Sequence, residues 1–249
     1  MKILLVGCGK MGSAMLDGWK KAGIKNVQII DPALGKKVED LPKRYRPNYI
    51  VLAIKPQEMA NVLPSLKSID GIVISIAAGK KISFIQKYMG IRHVVRAMPN
   101  LPAVLGQGVT GAVMSKPLSS DKKKEVDKIL SAFGKLVWVK KEADIDAITA
   151  ISGSGPAYVF LFAEGMVEAA KKFGFTNQQA RDLVFATIKG SANMAEASDK
   201  ELSELISNVA SKGGTTEAAL KVFKSKNFKK TIGMAADAAK KRSVQLSGK

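Results

Sequence analysis

The sequence predicts a chain in two parts: an α/β N-terminal half built as a doubly wound parallel sheet, and an all-α C-terminal half. Three observations carry this. The run Lys2 to Val6 leads directly into Gly7-Cys8-Gly9-Lys10-Met11-Gly12. Short apolar runs rich in β-branched residues then alternate with helical stretches as far as Val139. From Ile145 onward such runs cease and helical patterns take over. We place the division between residues 1–142, whose glycine fingerprint points to a dinucleotide, and 143–249, a helical domain.

Lys2 to Val6 reads as a buried parallel strand bounded by glycine. Strand, G-x-G-x-x-G and a helix from Ser13 to Ala22 follow in the order that a Rossmann-type dinucleotide fingerprint requires. Gly7 makes the tight turn, Gly9 lets a pyrophosphate approach, and Gly12 lets the helix pack on the strand. The second strand, Val27 to Ile30, ends at Asp31, an acidic residue placed to bind the ribose hydroxyls of NAD and to repel a 2′-phosphate. Lys36, Lys37, Lys43 and Arg44 stand nearby and would favour that phosphate, so NADH and NADPH both stay open. Pro42 and Pro47 leave room for a short helix near Lys36 to Leu41 at most.

Further strands are expected at Tyr49 to Ile54, Gly71 to Ile76, His93 to Ala97, Gly108 to Met114 and Leu136 to Val139, with a helix from Ser120 to Phe133. Three strand ends carry unusual residues. Ala53-Ile54-Lys55-Pro56 puts a lysine and a proline past a buried strand. Ala77-Ala78-Gly79 leaves a small-residue gap for a flat ring or ribose. Arg96-Ala97-Met98-Pro99-Asn100 offers Asn100 as a hydrogen-bonding group. In a doubly wound sheet all three line the carboxyl edge, where a cofactor binds.

In the helical half, Ser152-Gly153-Ser154-Gly155-Pro156 reads as a helix start, with a serine cap and Pro156 in the first turn. The helix that follows, Ala157 to Lys171, is apolar nearly all round and must be buried on most faces, either inside the helical half or against a second copy of the chain, and a homo-oligomer is expected. Further helices are expected over Asn177 to Ala197, Asp199 to Val209, Thr216 to Lys224 and Phe228 to Gln245, with a loose tail at Ser247-Gly248-Lys249. Ser211-Lys212-Gly213-Gly214-Thr215-Thr216 reads as another helix start, with Thr215 or Thr216 as the cap. Its glycines allow close approach, and the unpaired amides of such a start attract a small anion.

The totals narrow the function further. A chain of 249 residues with 46% hydrophobic and 24% charged residues has the composition of a soluble globular protein. No apolar run reaches the roughly 18 residues of a membrane span, and no cleavage site follows the N-terminal strand, so no membrane association is expected. The single cysteine, Cys8, fits a reducing cytoplasm, and one cysteine with one histidine leaves no metal site. The net charge of +19 is spread over nearly every helix, which argues against a nucleic-acid face. His93, the only histidine, falls inside a strand and reads as packed.

These motifs resemble pyrroline-5-carboxylate reductase over nearly the whole chain. The resemblance rests on Gly7-Cys8-Gly9-Lys10-Met11-Gly12, Ala53-Ile54-Lys55-Pro56, Arg96-Ala97-Met98-Pro99-Asn100, Ser152-Gly153-Ser154-Gly155-Pro156-Ala157-Tyr158 and Ser211-Lys212-Gly213-Gly214-Thr215-Thr216. It implies hydride transfer from NADPH or NADH to the C=N bond of 1-pyrroline-5-carboxylate, giving L-proline. It implies that the C-terminal helices form a dimer, or a ring of dimers. It also implies that Ser211 and the amides around Gly214, Thr215 and Thr216 hold the substrate carboxylate, with the Thr216 hydroxyl at the ring nitrogen as the catalytic contact. Carried over in the same way, Val6, Gly7, Cys8, Gly9, Lys10, Met11, Ala53, Ile54, Lys55, Pro56, Ile76, Ala77, Ala78 and Asn208 contact the cofactor. Two departures stand out: Lys212 replaces the family's usual proline, and the segment from Asp31 to Tyr49 is short. A related imine or hydroxyacid reductase, or a nucleotide-binding protein without turnover, are the competing readings.

Overall fold

The computed structural model of the chain describes residues 1–42 and 44–247. Lys43 and the end of the expected loose tail, Gly248-Lys249, lie outside the described residues. The chain packs as two compact units: Met1–Pro156 together with the chain from Asp237 onward, and Ala157–Ala236.

The first unit is built on a seven-stranded sheet, β1 (Ile3–Val6), β2 (Val27–Ile30), β3 (Tyr49–Leu52), β4 (Ile72–Ser75), β5 (Val94–Met98), β6 (Gly108–Met114) and β7 (Gly134–Trp138). The spatial order is β2-β1-β3-β4-β5-β6-β7. The first five strands run parallel, β6 runs antiparallel to β5, and β7 is parallel to β6. Alternating side chains send Ile3 and Leu5 to one face of β1 and Leu4 and Val6 to the other, so the strand is buried on both sides. Helices α1 (Lys10–Lys21) and α4 (Ser120–Ser131) cover the first face with Met15, Trp19, Val126, Ile129 and Leu130. Helices α2 (Met59–Val62) and α3 (Ile82–Met89) cover the second with Met59, Ile82, Ile85 and Met89. Each such side chain contributes about 1.5–3 kcal/mol on burial. Trp19 satisfies its indole N–H by donating to the Ile129 carbonyl at 2.9 Å, which ties α1 to α4.

Several elements differ from the sequence reading. The helix expected over Lys36 to Leu41 is two 3₁₀ turns, Pro32–Leu34 and Val38–Asp40. The Asp31 carboxylate holds the Ala33 N–H, and the backbones of Asp31 and Lys36 bridge, so the chain turns back before a longer helix can start. His93 lies just before β5, not inside it. The expected helix start at Ser152 to Pro156 is instead the middle of a longer helix. Helix α5 (Asp144–Ile148) passes through a π turn, Thr149–Gly153, into α6 (Gly155–Lys172). Pro156 has no N–H to offer the Ser152 carbonyl four residues back. Asn100 Nδ2 donates to that carbonyl at 3.1 Å instead, while Ser154 N–H reaches back five residues to Thr149 at 2.8 Å. Because the helix does not break there, the run Asp144–Lys172 is 29 residues long with a mean hydropathy of 1.3 over its most apolar window. It therefore meets the length and composition of a membrane span, against the expectation that no run does.

A buried polar cluster closes the first unit. Arg96 on β5 is 2% exposed and pairs with Glu142 Oε1 at 3.1 Å and Asp146 Oδ1 at 3.7 Å. Glu142 also accepts the Ile82 N–H that opens α3, at 2.7 Å. Asp146 accepts from Ser243 Oγ at 2.7 Å and Ser247 Oγ at 3.4 Å, both on the last helix, α10 (Phe228–Ser247).

The second unit contains the rest of α6, α7 (Asn177–Glu196), α8 (Leu202–Val209), α9 (Thr215–Ser225) and the first half of α10. Thr176 and Gln179 form a reciprocal cap at the start of α7. Only Ala163 of α6 is buried in this unit, whereas Phe160 is 57% and Leu161 70% exposed. Helix α6 is therefore apolar but unburied in the single chain.

Removing Asp146 leaves Arg96 with Glu142 alone and takes the acceptor from the buried Ser243 hydroxyl, at a cost of about 1–3 kcal/mol. Asp146→Ala is thus expected to lower the thermal midpoint by roughly 2–12 °C, read by differential scanning calorimetry against the wild type.

Candidate active site

In the first unit the ends of β1 and β3 meet the start of α1 at one place. Stepping from β1 to β2 and then back across β1 to β3 reverses the strand order between β1 and β3, and ligands of open α/β sheets bind outside the carboxyl ends at such a switch. Gly7 follows β1 and Ala53 follows β3. Gly7 has φ +91°, and a Cβ on it would stand 2.6 Å from the Ala53 carbonyl oxygen. A Cβ on Gly12 would stand 2.3 Å from the Gly7 carbonyl oxygen. The two loops and the first turn of α1 therefore approach at backbone distance, and any side chain would force them apart. Gly9 is different: a Cβ there would meet nothing within 4 Å. It caps α1 without a side chain, so the first amides of that helix, which have no partner within it, adjoin space that a larger cap residue would take. A pyrophosphate fits this arrangement.

Asp31 is bound into the same loop. Its Oδ2 accepts the Cys8 N–H at 2.6 Å and its Oδ1 the Ala33 N–H at 2.8 Å. Each carboxylate oxygen keeps a second lone pair for a ribose hydroxyl. Ser13, which the sequence reading passed over, donates to the Cys8 carbonyl at 2.8 Å and braces the loop from the α1 side.

The other strand ends are less uniform. Val6 and Ala77 are core residues with 1% and 5% exposure, whereas Lys55 and Ala78 are exposed and Ile54, Pro56 and Ile76 are half-buried. The small-residue gap at Gly79 is filled: a Cβ there would sit 2.9 Å from Leu246 Cβ, because the end of α10 packs on that turn. Asn100 has both ends of its amide engaged, Nδ2 on the Ser152 carbonyl and Oδ1 on the Val109 N–H at 2.8 Å. It braces the loop after β5 against the π turn. A proline four residues after Ser152 was the sequence signal that this carbonyl needed an outside donor.

The second unit carries the remaining expected residues: Asn208 near the end of α8, and Ser211, Gly214, Thr215 and Thr216 at the start of α9. Neither threonine is the cap. Gly214 is the N-cap residue, and Thr215 and Thr216 occupy the first two helical positions. The chain can place a glycine there because the turn is closed by backbone and by Glu217. Gly214 N–H donates to the Ser211 carbonyl at 3.0 Å, and Gly213, at φ +74°, donates its N–H to Glu217 Oε2 at 2.5 Å. A Cβ on Gly214 would stand 2.5 Å from Ser211 Oγ. The Gly213 amide and then Lys221, 3.1 Å from Oε1, hold the Glu217 carboxyl below the usual carboxylate range. Ser211, Lys212 and Thr215 are exposed, and Thr216 is half-buried. The amides of the first turn and the two hydroxyls beside them suit a carboxylate.

Comparison with known proteins agrees with both halves. Residues 142–246 match the family model described as pyrroline-5-carboxylate reductase dimerisation. Residues 2–79 match the one described as NADP oxidoreductase, coenzyme F420-dependent. The pyrroline-5-carboxylate reductase of Pseudomonas aeruginosa is 36% identical, over 99% of this chain and 97% of its own. That of Haemophilus influenzae is 36% identical over 98% and 97%. Among solved structures, a pyrroline-5-carboxylate reductase from Coxiella burnetii superposes with a TM-score of 0.89 at 33% identity, covering 99% of this chain and 98% of that one. The Plasmodium falciparum pyrroline carboxylate reductase with NADP bound gives 0.87 at 33% identity, with 99% and 98% covered. A glycine cradle at the switch point, a helical half matched by that dimerisation model, and 36% identity over nearly the full length of both chains together place this chain in the pyrroline-5-carboxylate reductase family.

Proposed function

We propose that the protein reduces 1-pyrroline-5-carboxylate to L-proline with NADH or NADPH, the last step of proline biosynthesis. The observation that carries this reading is likeness along nearly the whole chain to reductases of that name, with a backbone cradle that fits a dinucleotide. The functional division runs at residue 142, a dinucleotide domain before it and a substrate and dimerisation domain after it, supported by the match that begins there.

The dinucleotide supplies the hydride. What the chain supplies is position. Gly7, Gly9 and Gly12, with the amides at the start of α1, hold the pyrophosphate, and Asp31 meets the adenosine ribose. Cys8, Lys10, Met11, Ala53 to Pro56, Ile76 to Ala78 and Asn208 border the cofactor, with Asn100 fixing the neighbouring loop. Ser211 and the amides of Thr215 and Thr216 anchor the substrate carboxylate, while Gly214, whose own N–H is taken by the Ser211 carbonyl, keeps the approach free of a side chain. The Thr216 hydroxyl accepts from the protonated ring nitrogen and so orients the C=N bond. No strong base is required, because the product amine keeps its proton. Orientation of this kind lowers barriers by about 7–11 kcal/mol in well-ordered cases. Lys212 adds a positive charge beside the carboxylate loop without occupying it.

The unburied helix α6 and the aromatic cluster of Phe162, Phe223 and Phe228 line an apolar groove of about 1050 Å³ in the second unit. A second copy of the chain covers that face in this reading, supported by the dimerisation match. A dimer or a ring of dimers accounts for the apolar run better than a membrane does. The protein then works as a soluble cytoplasmic enzyme, in keeping with its lone Cys8.

Purified protein supplied with pyrroline-5-carboxylate and either reduced cofactor is expected to yield L-proline, and absence of proline with both would refute the reading. Thr216→Ala should lower kcat/KM about 10- to 100-fold, the worth of one or two polar contacts made in the transition state. Asp31→Ser should raise the ratio of NADPH to NADH kcat/KM, because the carboxylate that repels a 2′-phosphate is gone. Phe223→Glu places a charge in the apolar groove and should shift the species seen by light scattering from dimer or larger to monomer.

A further inference from the structure

The loop proposed to hold the substrate carboxylate is made of the residues least able to hold their own shape. Glycine gives up more conformational freedom on ordering than any other residue, and Gly213-Gly214 sits at the centre of the loop. Two acceptors fix it. The Ser211 carbonyl takes the Gly214 N–H, and Glu217, one turn into α9, reaches back to take the Gly213 N–H. A glutamate at the third helical position ordinarily serves the N–H of the cap residue. Here it reaches one residue further back, to the residue in left-handed conformation that sets the direction of the loop. With both glycine amides turned inward, those of Thr215, Thr216 and Glu217 have no partner among the described residues and are left for the ligand.

We propose that Glu217 is a positioning residue for substrate binding, which presets the loop 211–216 in its carboxylate-binding shape through the Gly213 amide. Lys221 completes the device. A carboxylate beside an anion site would repel the substrate, and the Lys221 ammonium, 3.1 Å from Glu217 Oε1, offsets that charge. The loop thereby gains an acceptor at Gly213 with little net negative charge. The Gly213 amide and Lys221 hold the Glu217 carboxyl below the usual carboxylate range, so the pair persists into mildly acidic solution. This inference rests on the reductase reading, and the two fail differently: if the wild-type protein makes no proline, the reading itself falls.

The test uses Glu217→Ala and Glu217→Gln in the full-length enzyme. Glu217→Ala is expected to raise KM for pyrroline-5-carboxylate roughly five- to tenfold, since an unordered loop must be fixed at the moment of binding. Its kcat and its KM for the dinucleotide should stay within about twofold of wild type. Glu217→Gln keeps an oxygen that accepts from Gly213 N–H and should recover most of the lost affinity. An unchanged KM in Glu217→Ala would overturn the proposal. So would an equal loss in kcat and cofactor KM, which marks general disruption, and so would a glutamine variant as weak as the alanine one.

Discussion

A guanidinium kept almost wholly from water must be paired, and the first unit is arranged around the pairing of Arg96. A lone buried charge costs several kcal/mol, so the groups that surround it are bound to their places. Glu142 approaches on one side and carries the first amide of α3 with it. Asp146 approaches on the other and draws in Ser243 and Ser247 from the far end of the chain. The consequence reaches the sheet edge: the end of α10 is held where Leu246 closes over Gly79. Arg96 thus serves residues far beyond the Met98-Pro99-Asn100 loop that follows it, at Glu142 and Asp146.

The chemistry of the site is chiefly a matter of where backbone groups lie. Gly7 and Gly12 bring two loops and a helix to contact distance, and Gly9 leaves the same helix start open. Asp31 and Ser13 hold the loop from either side with hydrogen bonds of 2.6 Å and 2.8 Å to Cys8. At the start of α9 two glycines turn their own amides inward, one onto the Glu217 carboxylate and one onto the Ser211 carbonyl, and leave the next amides open. Both places use the same solution: side chains are removed where a ligand must approach, and a nearby acidic group restores the order that glycine gives up. An imine reduction in which the product keeps its proton asks for this kind of scaffold more than for a strong acid or base.

The second unit poses a solvation problem that it does not solve within the single chain. Phe160, Leu161, Phe173 and Val209 are all more than half exposed, which is far from the pattern of a finished surface. The match to a dimerisation model points to a second copy of the chain as the cover of these residues.

Much of the first unit was legible in the sequence. β2 and β6 lie where the apolar runs put them, and the fingerprint of Gly7, Gly9 and Gly12 has the geometry its spacing implies, because a fully buried strand and a side-chain-free turn are written in local residue types. The helical half was legible as helices, and α6 as one in need of a partner. Local pattern could not show that Ser152 to Pro156 lies mid-helix, since the donor that replaces the missing proline N–H is Asn100, 52 residues away. Nor could it show that Gly79 is covered by Leu246, or that Glu217 is the acceptor that shapes the turn in place of a threonine cap. The sequence by itself determined most of the strands and helices and where side chains are omitted, because those depend chiefly on neighbours along the chain. The tertiary structure decided which polar groups satisfy one another, because burial leaves each donor and acceptor to be matched by whatever the fold brings near.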